Sequence, residues 1–108
     1  MGIKTVCLDL DGTVAEYDGW QGPHHIGPPK RGAIAAILTL QLAGLGVVIC
    51  TARDDVAPVE AWVRAHGLAV RVTNEKPKAH IYIDDRGYHF DGDWDKAVAA
   101  ARAACGAS

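Results

Sequence analysis

Lys4 to Val14, KTVCLDLDGTV, is the stretch on which the rest of the chain turns. Its apolar run Val6, Cys7, Leu8 predicts a buried strand, which ends on two aspartates one residue apart, Asp9 and Asp11, followed by Gly12 and Thr13. Two carboxylates crowded at a strand tip repel each other, so such a pair is kept for a cation, a proton or a phosphoryl group more often than for stability. A plain aspartate and glycine turn would be ordinary loop chemistry, but it leaves the acids further down the chain without a purpose. An EF-hand loop fails on register, because counting from Asp9 the sixth position is Val14 rather than Gly and the twelfth is Trp20 rather than Glu.

Outward from that strand, residues 15–29 (AEYDGWQGPHHIGPP) are rich in Gly and Pro and have no period. Long excursions of this kind in compact domains are usually functional. Pro28 and Pro29 lead into a helix expected over Arg31 to Ala43, with Ile34, Ile37, Leu38 and Leu42 at helical spacing and Gly44 at its end. Gly46 to Cys50 (GVVIC) does not alternate, which predicts a strand buried on both faces, stopping at Thr51. Asp54 or Asp55 can cap a second helix carrying Val56, Val59, Trp62 and Val63, with Gly67 at its C-terminal end. A short strand is expected at Leu68 to Val72, then a polar segment, then a strand at Ala79 to Ile83 that runs straight into Asp84 and Asp85. Asp93 caps a last helix, Trp94 to Ala104, closed by Gly106.

The order β, α, β, α, β, β, α predicts an α/β fold, a Rossmann-like three-layer sandwich with a mainly parallel sheet and helices on both faces. At 108 residues the chain is expected to form a single domain, 1–108. In open parallel sheets ligands bind outside the carboxyl ends of the strands, and that is where the polar residues fall.

Composition narrows the classes of function. The chain is 49% hydrophobic and 22% charged with a formal net charge of -2, which gives no basic face for nucleic acid. The apolar stretch around Leu45 to Cys50 falls far short of the ~20 residues of a membrane span. No charged leader with an apolar core opens the chain, and residue 6 is Val where a myristoylation signal needs Ser or Thr. A cytoplasmic location is the expectation. Three cysteines with no CxxC spacing read as reduced thiols, two in strands and Cys105 near a helix end.

Brought together, the strand ends hold Asp9, Asp11, Thr51 and the pair Asp84 and Asp85, with Lys76 and Lys78 just before the last strand. Carboxylates without soft donors favour Mg²⁺ over zinc. A hydroxyl and an ammonium beside that metal suit the remaining oxygens of a phosphate. One carboxylate can attack phosphorus while a second moves the proton.

These residues resemble the haloacid dehalogenase (HAD) superfamily of phosphatases. DLDGTV is similar to its first motif, Thr51 in ICTAR to its second, a lysine of EKPK to its third and IYIDD to its fourth, in family order. The resemblance implies that Asp9 is the nucleophile, forming an aspartyl-phosphate, and that Asp11 protonates the leaving group and then activates water. It implies phosphate binding by Thr51 and a lysine. Lys76 is favoured over Lys78 because the family's lysine sits clear of the strand. Mg²⁺ is then expected on Asp9, Asp84, Asp85 and the Asp11 carbonyl. The intervals between motifs leave no room for a cap domain, so the chain resembles the capless subgroup. An open site suits a bulky phosphorylated substrate, or else a neighbouring subunit covers it, which leaves a homo-oligomer open.

Other residues have two readings each. Arg53 either reaches a substrate phosphate or solvates the helix after it, and Arg86 reads as a charge partner of the acidic pair. Trp20 and Lys78 are candidate substrate contacts. Tyr17, Trp20, His24 and His25 are candidates to cover the site, while Trp62 and Trp94 fall on helix faces as core. Adjacent His24 and His25 would face opposite ways in a strand, which argues against a shared metal. A receiver-type signalling module shares the acids, Thr and Lys, but there the acidic pair comes first and the phosphorylated aspartate mid-chain, the reverse of this order; a degenerate HAD-like binding domain is the other alternative, against which every motif residue is present.

Overall fold

The computed structural model describes residues 3–84 and 88–106. Eight elements follow in order: β1 (Thr5–Asp9), α1 (Ala33–Leu42), β2 (Gly46–Cys50), α2 (Ala57–Ala65), β3 (Arg71–Thr73), β4 (Ile81–Asp84), β5 (Tyr88–His89) and α3 (Trp94–Ala104). The fold is α/β, with a five-stranded sheet in the order β3-β2-β1-β4-β5 and every pair parallel. No helix among the described residues is long and apolar enough to cross a membrane.

Register determines which side chains share a face. Val6 lies opposite Val47 and Ile81, and Leu8 opposite Ile49 and Ile83. Because side chains alternate along a strand, these residues point to one side, and all but the half-buried Ile81, which packs against it, belong to the buried cluster. The same cluster takes Ala36, Ile37 and Leu40 from α1, Val59 and Val63 from α2, and Ala97 and Ala101 from α3. Two successive right-handed crossovers moving in one direction, β1 to β2 to β3, set α1 and α2 on the same face.

The opposite face carries Cys7, its neighbours Val48 and Tyr82, and beyond them Asp9 and Cys50. Its cover is the stretch joining β3 to β4. The Tyr82 hydroxyl donates to the Pro77 carbonyl and accepts from the Ala79 amide, and the Lys76 ammonium sits 4.5 Å from the Tyr82 ring centre. Among the described residues all three helices pack in the one cluster on the first face, where helices on both faces were expected; the link from β3 to β4, residues 74–80, is too short to hold a crossover helix and forms the third layer in its place.

Element ends follow local hydrogen bonding. β3 starts at Arg71 rather than Leu68 because the Leu68 amide still donates to Val63 and closes α2. β4 starts at Ile81 because the Ala79 amide is taken by Tyr82. The N-cap of α2 is Val56, without a side-chain cap, where Asp54 or Asp55 was expected; Asp55 accepts from the Ala57 amide at 3.0 Å in the turn before it, while the Asp93 side chain accepts from the Lys96 amide at the start of α3 as expected. The two-residue strand β5 was not expected from the sequence; so short a piece shows no periodicity.

Residues 15–29 form a closed excursion. Its limbs meet where the Glu16 amide donates to Pro28 and the Lys30 amide to Val14, each at 2.8 Å. Gly27 sits at this clasp, where a Cβ would run into the Glu16 carbonyl.

Candidate active site

A parallel sheet brings all its carboxyl ends to one edge. Leu8 pairs with Ile83 and Asp9 with Cys50, so Asp9 and Asp84 end adjacent strands with Thr51 just beyond on the other side. Asp9, Thr51, Lys76 and Asp84 line one cleft of about 280 Å³, together with Cys7, Cys50 and Asn74. Lys78 is exposed and is not among the residues lining it. Asp85 and Arg86 lie outside the described residues.

Each of these groups is held by its surroundings. One Asp9 carboxylate oxygen accepts from the Leu10 amide at 3.0 Å. Thr51 is buried; its amide donates to Thr73 and its hydroxyl oxygen accepts from the Arg53 amide at 3.1 Å. A hydroxyl that accepts still has a proton to give, here beside the cleft. The Lys76 ammonium lies 3.4 Å from Asp84 and over Tyr82.

Asp11 follows β1 in a tight coil, where the Val14 and Ala15 amides both donate to Leu10 and Gly12 takes a φ of 81°. The left-handed conformation at Gly12 is one that side chains disfavour. This coil sends Asp11 toward Arg53 rather than into the first cleft. Arg53 Nε donates to one Asp11 oxygen at 3.0 Å and Nη2 to the other at 2.9 Å, a two-pronged pair. The same guanidinium donates to the Pro23 and His25 carbonyls at 3.3 and 3.0 Å. Hydrogen bonding to Asp11 raises the Arg53 pKa above its ordinary value.

Arg53 is only 7% exposed, so it neither solvates α2 nor stands open to a phosphate. It ties Asp11 to the 15–29 excursion. Its ring neighbour is Trp20, whose centre lies 5.0 Å from the guanidinium carbon. Trp20, Tyr17, Asp9, Asp11, Arg53 and Asp54 line a second cleft of about 360 Å³. His24 and His25 are exposed, and His25 contributes its backbone. Trp62 is core, as expected, and also anchors the excursion by donating to the Gly27 carbonyl at 3.1 Å.

Three contributors escaped sequence reasoning. Tyr82 holds the segment carrying Lys76, and the only signal was its alternate position between Ile81 and Ile83. Cys7 and Cys50 floor the first cleft; burial and the neighbouring Cys50 push the Cys7 thiol up to about 12, which keeps it protonated.

Among the described residues no three of His, Cys, Asp and Glu come together to hold an ion. Asp9 and Asp84 nevertheless offer carboxylates to one cleft. Mg²⁺ is commonly held by one or two carboxylates, with waters and substrate phosphate completing the shell, so the residues fit Mg²⁺ without an all-protein cage.

No family model matches the chain, and no curated protein matches it. A solved structure of a conserved protein coded by a locus from Bacteroides thetaiotaomicron is similar over 90% of this chain and 88% of its own, with a TM-score of 0.71 at 24% identity, a likeness of fold.

Proposed function

We propose that the protein is a Mg²⁺-dependent phosphatase that cleaves a phosphomonoester through an aspartyl-phosphate, in the manner of the HAD superfamily its motifs resemble. The observation that supports this most is the convergence of two carboxylates, a buried hydroxyl and an ammonium, Asp9, Asp84, Thr51 and Lys76, on one cleft at the carboxyl edge of the sheet.

Thr51 and Lys76 donate to the phosphoryl oxygens and hold the phosphorus in reach of Asp9. Asp9 and Asp84 would hold Mg²⁺, with the Asp11 carbonyl added as the resemblance implies, and the bound metal would supply positive charge to the phosphoryl oxygens. An Asp9 carboxylate oxygen forms a bond to phosphorus as the ester oxygen leaves with the electron pair, and that oxygen takes a proton from Asp11. Water then attacks the phosphorus of the aspartyl-phosphate, Asp11 takes the water's proton, and Asp9 and phosphate are released. Both Asp11 oxygens accept from Arg53 in this structure, so a proton on either oxygen weakens the Arg53 bond to it without removing its capacity to accept.

Phosphate release from p-nitrophenyl phosphate, with and without Mg²⁺, tests this. Activity is expected only with the metal, and none from Asp9→Asn. The Asp11→Asn variant should be slower by ~10²-fold or more, the usual scale for general acid catalysis. Robust turnover by Asp9→Asn would remove the nucleophile and with it the proposal.

A further inference from the structure

Asp9 borders two clefts of different chemistry. The first holds the donors an anion needs, Thr51 and Lys76. The second holds Asp11, the proposed acid for the leaving oxygen, so the leaving group belongs there. Its volume of about 360 Å³ is at the small end of ligand sites, enough for one ring system on a short linker.

Its walls define what that group is. Among the described residues three carboxylates, Asp9, Asp11 and Asp54, line it with one cation, Arg53, which is bonded to Asp11 and to two carbonyls. Among these residues a second anionic group on the substrate would find no uncommitted cation. Trp20 is 59% exposed and Tyr17 46%, two large rings left in water beside an acidic edge. Trp20 is not loose: Arg53 lies against its ring, and Arg53 is itself buried and fixed. Gly19 and Gly22, at φ of 106° and 101°, bend the chain on either side of it. A ring held in place with most of its surface uncovered is a stacking platform.

Resting on the phosphatase reading, we propose that the second cleft binds a flat, uncharged aromatic ring stacked on Trp20, so that the substrate is a phosphomonoester whose leaving group carries such a ring.

The test is a binding measurement by calorimetry in Mg²⁺, with two phosphonates that cannot be hydrolysed and differ only in ring flatness, benzylphosphonate and cyclohexylmethylphosphonate. The benzyl compound should bind about tenfold tighter, within the range that base-on-aromatic stacking supplies. Trp20→Leu, which keeps apolar bulk without the flat ring, should abolish the difference. Equal affinity in the wild type, or a preference that survives in Trp20→Leu, overturns the platform while leaving the phosphatase reading standing. Binding of neither compound, together with no phosphate release from p-nitrophenyl phosphate, overturns both.

Discussion

Arg53 shows how much a single side chain carries here. Four of its N–H groups are used, on both Asp11 oxygens and on two carbonyls of the 15–29 excursion. Removing it strands a largely buried carboxylate and two carbonyls, so Arg53→Ala should lose about 2–4 kcal/mol of stability, on the scale of broken buried pairs. Arg53→Lys keeps the charge but not the fork and should recover only part of it. Urea unfolding of the three proteins decides this, and an unchanged midpoint in Arg53→Ala would show that the pair adds nothing. Cys7 makes a different case, because it is 3% exposed and its pKa is pushed up to about 12 from 9.0 by burial and by Cys50. The folded state keeps the thiol neutral while the unfolded chain ionises it. The stability this contributes is therefore complete below pH 9 and is lost as pH rises toward 12. In metal-free buffer, the wild type should fall in stability relative to Cys7→Ala between pH 9 and 10.5. Parallel curves for the two proteins would refute the shift.

At the level of elements, the clasp of the 15–29 excursion is the part most open to attack. Gly27→Ala drives a methyl into the Glu16 carbonyl, next to the Glu16 to Pro28 hydrogen bond and the Trp62 anchor. Overpacking of this kind costs about 1–3 kcal/mol, and proteolytic cutting within 16–26 should accelerate in the variant. A cutting rate equal to the wild type would mean that the limbs separate without consequence. The sequence announced this segment by its lack of period, but not its shape, since the clasp joins residues a dozen apart and Arg53 reaches it from beyond β2. β1, β2 and α3 were legible because each is a local pattern: a β-branched or apolar run, or Asp93 before an alanine-rich helix. β3 and β4 began later than expected because Leu68 and Ala79 spend their amides on α2 and Tyr82. For the candidate site, motif order singled out Asp9, Thr51, Lys76 and Asp84, which the fold brings to one cleft. The partnership of Asp11 with Arg53 spans 42 residues and had no local signature.

Over the whole molecule, one parallel sheet gathers its acids at a single edge, and that gathering has a cost in stability. Asp9 and Asp84 end neighbouring strands in register, where like charges oppose each other. Lys76 offsets little of this, since its side chain is 57% exposed and 3.4 Å away. A cation bound between the two carboxylates would stabilise the folded chain by mass action. At a concentration tenfold above its Kd the gain is about 1.4 kcal/mol, or about 6 °C in Tm for a domain of this size. Thermal melts should thus rise on adding MgCl₂, and NaCl at matched ionic strength should not reproduce the rise. Asp84→Asn separates the causes, because it removes one ligand and one like charge together. Its metal-free Tm should match or exceed that of the wild type, and its response to Mg²⁺ should vanish. A variant that loses stability without metal would place Asp84 in the fold rather than at a cation. One that still gains several degrees with Mg²⁺ would move the metal away from this edge of the sheet.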